Sequence, residues 1–132
     1  MEIKYKINTT VRIEDVIVLY TSAELNRPIN DFQRIKELYE NSNLVITAWH
    51  QGELVGIARS ITDLRYSCYL SDLAVKKEFQ KQKIGKTLIK ITKEYLGNEC
   101  ILLLLAAPSA INYYSKIGFE QTENAFIIKR EF

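Results

Sequence analysis

Six lysines surround a single glycine in the middle of the chain. The stretch "VKKEFQKQKIGKTLIK", residues 75–90, contains these lysines and only one acidic residue, Glu78. An apolar segment of strand character ends at Val75, and a helical pattern begins near Ile84. A loop between a strand and a helix N-terminus presents unpaired backbone N–H groups and the positive end of the helix dipole to one point. Such a point binds anions.

The residue types in this loop suit a diphosphate. Gly85 has no Cβ, so a ligand can approach the backbone closely. Lys81, Lys83 and Lys86 add positive charge at the rim. We therefore predict that the loop holds the pyrophosphate of a cofactor.

Other interpretations of the lysines are weaker. A nucleic-acid surface would spread basic residues over a face with aromatic, Arg or Asn side chains nearby, so no nucleic-acid partner is expected. A nucleoside triphosphate loop needs a glycine where Gln80 stands before "GKT". Lys90 and Lys93 are predicted to be solvated on the polar side of a helix.

Composition describes a small globular protein. The chain has 132 residues, 47% of them hydrophobic, and a net charge of +2, which fits one domain over residues 1–132. The longest apolar run, "ILLLLAA", is shorter than the ~20 residues of a membrane span, and no signal peptide is recognisable. A cytoplasmic location without a membrane partner is expected. Cys68 and Cys100 lack the spacing of a zinc site, so we predict reduced core thiols and no metal site.

Apolar periodicity predicts an α/β (α+β) fold, a mixed central sheet flanked by helices. The strand patterns are residues 2–7, the hairpin "NLVITAWH" and "ELVGIARSIT" around the turn "QG", "YSCYLSDLAV", "CILLLLAA" and "FIIKREF". The continuous apolar character of "CILLLLAA" predicts a strand buried on both faces.

Four helices are predicted between these strands. The first covers residues 14–25 and ends before Arg27-Pro28, and the second is capped by Asn30 or Asp31. The third runs from Ile84 to Gly97. A short fourth helix starts at Pro108 and ends at Gly118.

Two motifs resemble those of the GNAT superfamily, the acyl-CoA-dependent N-acyltransferases. The family pattern Gln/Arg-x-x-Gly-x-Gly/Ala after a strand-ending valine is similar to Val75 followed by Gln80-Lys81-Gln82-Lys83-Ile84-Gly85. The second motif is similar to Ala110-Ile111-Asn112-Tyr113-Tyr114 with Gly118-Phe119. The predicted element order agrees over most of the chain, which implies a single GNAT-like domain.

The resemblance implies acetyl-CoA as the cosubstrate. Its pantetheine arm would lie along the strand through Leu73, Ala74 and Val75 and bond to the backbone as an added strand does. A backbone N–H near Leu73 would polarise the thioester carbonyl. The implied cofactor contacts are Leu73, Ala74, Val75, Gln80, Lys81, Gln82, Lys83, Ile84, Gly85, Lys86 and Asn112.

The chain departs from the family pattern at two positions. Lys83 replaces the first glycine, which costs about 1 kcal/mol if its φ is positive. Ala107 stands where many relatives have an asparagine that touches pantetheine, and Asn112 is the candidate to supply that contact.

The resemblance further implies direct attack of a primary amine on the thioester. Tyr114 is the expected proton donor to the leaving thiolate because of its place in the motif. Since Tyr113 and Tyr114 are adjacent, one of them is expected to face the core, and the alternative is that Tyr114 only packs. Asp72 is the candidate general base, and a structural role is its alternative.

The motifs do not identify the amine acceptor, and a small amine or a peptide is expected. Side chains in segments that flank the acceptor cleft of relatives are Arg27, Trp49, Asp63, Tyr66 and Tyr69. A homodimer through the last strands would match relatives. A module of the same fold that binds acyl-CoA without transferring it remains the alternative function.

Overall fold

The sheet has five strands in sequential order. They are β1 (Lys4–Ile7), β2 (Leu44–His50), β3 (Glu53–Thr62), β4 (Ser67–Val75) and β5 (Ile101–Leu103). The first four pair antiparallel, whereas β5 pairs parallel to β4. The mixed sheet expected from the sequence is therefore confirmed by the computed structural model, which describes residues 2–132.

Four helices cover this sheet, namely α1 (Ile13–Ala23), α2 (Phe32–Glu40), α3 (Ile84–Leu96) and α4 (Ile111–Lys116). The Asp31 carboxylate caps α2 by accepting the Arg34 N–H at 3.1 Å. At the end of α3, Gly97 has a φ of 80°, and Lys93 Nζ donates to the carbonyls of Gly97 and Cys100. Lys93 thus closes the helix and is not merely solvated. Within residues 2–132, no helix is long and apolar enough to cross a membrane.

The sheet has a core on each face. On one face, α1 and α2 pack on apolar side chains that include Val45, Ile57 and Ala74. On the other face, α3 packs on a cluster that includes Ile46, Ala58 and both cysteines, which are buried free thiols as expected. The parallel pairing of β4 and β5 makes α3 the crossover helix between them.

The first helix ends earlier than its sequence predicts. Helix α1 stops at Ala23, and Glu24 takes a left-handed C-cap conformation with a φ of 57°. The Leu25 N–H then donates to the Tyr20 carbonyl at 3.1 Å. The chain therefore turns before Pro28 can end the helix. The connection between α1 and α2 that follows contains Arg27.

The C-terminal third differs from two expectations. Strand β5 is three residues long rather than spanning "CILLLLAA", and Ile101 and Leu103 are 60% and 42% exposed. The expected burial on both faces is wrong, because Leu102 faces the α3-side core whereas Ile101 and Leu103 on the other face are not covered. The segment "FIIKREF" forms no strand, and Phe126 and Ile128 are 95% and 99% exposed.

Candidate functional site

Strands β4 and β5 separate part-way along the sheet. Their parallel pairing joins Ser67, Cys68 and Tyr69 to Ile101–Leu103 and stops there. Beyond that point β4 continues to Val75, paired only with β3. The β4 edge over residues 70–75 therefore has backbone groups without a strand partner, which is the type of edge that an extended ligand can join.

A bulge in β4 sets the direction of its side chains. The β3–β4 register shifts because Arg59 lies opposite Asp72 while Ser60 lies opposite Leu70, so Ser71 is an extra residue. Leu70 packs in the α3-side core, and Leu73 packs on that same side although it is three residues away. In a regular strand such residues would face opposite sides. The bulge thus turns Leu73 and Val75 toward α3 and Asp72 toward α1.

The loop after β4 is a strained turn held by a glutamine. A 3₁₀ turn covers Lys77–Phe79, and the Gln80 side-chain amide donates to the Val75 carbonyl at 2.9 Å. Lys81 and Lys83 have φ values of 64° and 67°, in the left-handed region. The conformational cost expected of a non-glycine residue at position 83 is therefore present, at about 1 kcal/mol or more.

Helix α3 begins directly after this turn without a side-chain cap. Its first-turn N–H groups therefore remain available to a ligand. A Cβ placed on Gly85 would lie 3.1 Å from the Tyr113 hydroxyl oxygen, 3.8 Å from Val75 Cγ2 and 3.9 Å from Leu73 Cδ2. Gly85 thus leaves open a narrow space between the helix, the β4 edge and α4.

A groove of about 490 Å³ contains this space. Seven of the expected cofactor residues line it, namely Leu73, Val75, Gln80, Lys81, Lys83, Ile84 and Gly85. Sequence reasoning missed four further lining residues, Phe79, Ser109, Ala110 and Tyr113. The combination of an open strand edge, an uncapped helix start and lysines suits an extended ligand that ends in a diphosphate.

Four expected cofactor residues do not line the groove. The Ala74 side chain packs toward α1, and Gln82 and Asn112 are exposed outside it. Lys86 lines a neighbouring groove along α3 with Lys90 and Lys93. The groove wall on the α4 side is formed by Ser109, Ala110 and Tyr113, and the contact predicted for Asn112 stays a prediction.

A family model described as "Acetyltransferase (GNAT) domain" matches residues 17–129. The chain belongs to the GNAT acetyltransferase family. It is 27% identical over 119 residues to an uncharacterized N-acetyltransferase, ycf52, of Gracilaria tenuistipitata var. liui, a match that covers 85% of this chain and 64% of that relative. The chain thus spans less than two thirds of that relative's length.

Solved structures agree with the GNAT fold. A probable acetyltransferase of meticillin-resistant Staphylococcus aureus superposes with a TM-score of 0.79 at 24% identity, over 96% of this chain and 100% of that one. The aminoglycoside N-acetyltransferase AAC(6')-Iy, solved in complex with CoA, superposes with a TM-score of 0.74 at 15% identity, over 99% and 96% of the two chains. At these identities the likeness establishes the fold.

The two tyrosines of the second GNAT motif face different sides of α4. The Tyr113 hydroxyl reaches the groove beside Gly85. Tyr114 instead packs edge-on against Phe119, with ring centroids 5.5 Å apart, and lines a separate cavity between β5 and residues 119–125. The structure thus brings Tyr113, and not the motif candidate Tyr114, to the groove, because sequence does not fix the rotation of a short helix entered through the 3₁₀ turn Pro108–Ala110.

Burial raises the pKa of both phenols. For Tyr113 burial is the cause, and for Tyr114 the neighbouring Tyr113 adds to it. The Tyr113 phenol therefore keeps its proton at neutral pH and is free to donate it to a ligand in the groove.

Asp72 lies at the centre of a buried ion network. Its carboxylate accepts hydrogen bonds from Arg27 Nε at 2.6 Å, from Arg59 Nε at 2.7 Å and from the Tyr20 hydroxyl at 2.6 Å. Burial alone would raise the pKa of Asp72, but the hydrogen bond and charge of Arg59, then Tyr20 and Arg27, outweigh it and lower the pKa. These contacts favour the structural alternative over a general base.

The residues expected at an acceptor cleft do not lie together at one site. Arg27 lies beside β4 in the Asp72 network. Asp63 Oδ1 accepts the N–H groups of three residues in the β3–β4 turn, which also carries the exposed Tyr66. This turn is roughly 20 Å from Leu73 along β4. Trp49 packs in the α1-side core and donates to Thr47.

Metal ligands are not clustered in the part of the chain that the structure describes. No three His, Cys, Asp or Glu side chains between residues 2 and 132 lie close enough together to hold an ion.

Proposed function

We propose that this GNAT protein is an N-acetyltransferase that moves the acetyl group of acetyl-CoA to a primary amine by direct attack. The observation that carries the proposal is the groove where the open β4 edge, the uncapped start of α3 and Gly85 meet. An acyl donor that ends in a diphosphate and carries an extended amide-containing arm matches each of these features.

The chain supplies binding groups along the whole groove. The free backbone groups of β4 around Leu73 pair with the arm. The first-turn N–H groups of α3 receive the diphosphate, with added charge from Lys81 and Lys83. Acetyl-CoA supplies an activated thioester. A β4 backbone N–H near Leu73 donates to the thioester oxygen and stabilises the negative charge that develops there.

The motif suggested Tyr114 as the proton donor. We assign this role to Tyr113 instead. The support is the place of the Tyr113 hydroxyl in the groove and a raised pKa that keeps it protonated. A phenol held in reach of the departing thiolate acts as its general acid. Asp72 is assigned no proton transfer, because two guanidinium groups and a phenol occupy its oxygens.

We propose a small molecule or a peptide end as the acceptor. The solved relative AAC(6')-Iy is an aminoglycoside acetyltransferase, so small amines are a class that this fold can accommodate. A cytoplasmic location is proposed as well, because both buried cysteines are free thiols, and thiols persist in a reducing compartment.

The function is tested by incubating the protein with acetyl-CoA and a panel of amines while free thiol is measured. The panel contains an aminoglycoside, amino acid amides and peptides with free N-termini. We expect thiol release that depends on one class of amine, without a covalent acetyl-enzyme. Tight CoA binding without turnover on any amine would support the acyl-CoA-binding module instead, and absence of CoA binding would refute both.

We further propose that two copies associate through the C-terminal segment, residues 125–132. Phe126, Ile128 and Phe132 in this segment are 94% or more exposed, and the outer edge of β5 is unpaired. Light scattering should give about twice the chain mass of 15.3 kDa. The double variant Phe126→Lys, Ile128→Lys should be monomeric, whereas Glu123→Lys should not change the mass. A monomeric wild type at ~100 μM contradicts this proposal.

A further inference from the structure

The bulged residue of β4 is held by two arginines from different elements. The Ser71 carbonyl accepts a hydrogen bond from Arg27 Nη2 at 2.6 Å. The Ser71 hydroxyl accepts one from Arg59 Nη2 at 2.9 Å. Arg59 belongs to the adjacent strand β3, whereas Arg27 belongs to the connection between α1 and α2.

Asp72 joins the same two arginines from the next position. Each guanidinium uses Nε for an Asp72 oxygen and Nη2 for Ser71. Such two-point contacts fix direction as well as distance. The pair of residues at the bulge is therefore clamped on both sides.

A clamp at this place has a physical reason. The extra residue of a bulge is left out of the β-ladder, so its polar groups need other partners. Asp72 is fully buried and needs charge compensation. The two arginines meet both needs, and together with Asp72 they leave one surplus positive charge next to the strand.

We propose that Arg27 is a positioning residue that holds the Ser71 bulge and thereby aims the β4 edge at the thioester carbonyl. The bulge decides that Leu73 and Val75 face the groove. A slip by one residue would turn them to the other face and move the N–H groups that follow. This inference rests on the proposed function, since it concerns the acetyl group rather than the nucleotide.

Arg27 is the member of the clamp that is best suited to substitution. Its side chain is 24% exposed, whereas those of Arg59 and Asp72 are 5% and 0% exposed. Removal of Asp72 would leave buried cations without a partner and endanger folding. Arg27→Gln removes the two-point contact, and Arg27→Lys keeps the charge but cannot form it.

Two measurements on the full chain test the role. Hydrogen exchange of the free protein should be roughly tenfold faster at amides 70–73 in Arg27→Gln, and unchanged in the matched control Arg12→Gln, an exposed arginine at the start of α1. Isotope-edited infrared spectra of bound carbonyl-labelled acetyl-CoA should lose at least half of the thioester shift in both Arg27 variants. The dissociation constant of CoA, which lacks the acetyl group, should stay within about threefold.

Each of the other possible results contradicts a different step of the proposal. Unchanged exchange at 70–73 would show that Arg27 does not hold the bulge. Faster exchange with an unchanged thioester shift would show that the bulge does not aim the edge. An equal loss of affinity for CoA and for acetyl-CoA would indicate general damage to the groove. If the wild type bound no acetyl-CoA, the proposed function would fail and the aiming role with it, while the exchange data would still report on the clamp.

Discussion

Replacement of Gly85 by leucine should weaken CoA binding at least about a hundredfold while the protein stays folded. A Cβ at this position already comes within 3.1 Å of the Tyr113 hydroxyl, and three further carbons would fill the space between Val75 and α4. The lost contacts need to amount to only about 2.7 kcal/mol for this effect. Isothermal titration with CoA measures it directly.

Stability should not fall in this variant, which separates a blocked groove from a damaged fold. Gly85 lies inside α3 and its φ is not positive, so leucine is compatible with the backbone and favours the helix by up to about 1 kcal/mol. Gly85→Ala should give a smaller loss of affinity. Tyr95→Leu, an exposed change on the same helix, should bind CoA normally. Wild-type affinity in Gly85→Leu would show that the diphosphate lies elsewhere.

Local patterns in the sequence predicted most of the elements that build this groove. Period-two alternation and the "QG" turn gave β1 to β3, and helical spacing with Gly97 gave α3. The resemblance to the GNAT motifs named seven residues that line the groove. These features depend on neighbours along the chain, so a single sequence contains them.

The sequence did not predict the features that depend on contacts between distant segments. The Ser71 carbonyl at the bulge accepts a hydrogen bond from Arg27, which belongs to another element 44 residues away in sequence. The apolar run after Cys100 resembles a buried strand, but its burial depends on which elements pack against its two faces, and one face is exposed. The rotation of α4 depends on how the 3₁₀ turn before it packs. None of these has a local sequence signal.

The rotation of α4 decides which tyrosine is the proton donor, and paired variants distinguish them. Tyr113→Phe should lower kcat by about a hundredfold, the low end of the effect of losing a general acid. The CoA dissociation constant should change less than about threefold, because the ring that lines the groove remains. The measurement is steady-state thiol release with an amine identified by the acceptor panel.

Tyr114→Phe is the matched control, since it removes the same atom from the adjacent residue, whose ring points into a different cavity. Tyr114 lines the cavity behind β5, so kcat should stay within about twofold of wild type. The opposite pattern, with a large loss in Tyr114→Phe alone, would return the role to the residue that the motif favours and would require α4 to rotate when the donor binds. Equal, small effects in both variants would mean that solvent protonates the thiolate and that the groove contributes by orientation alone.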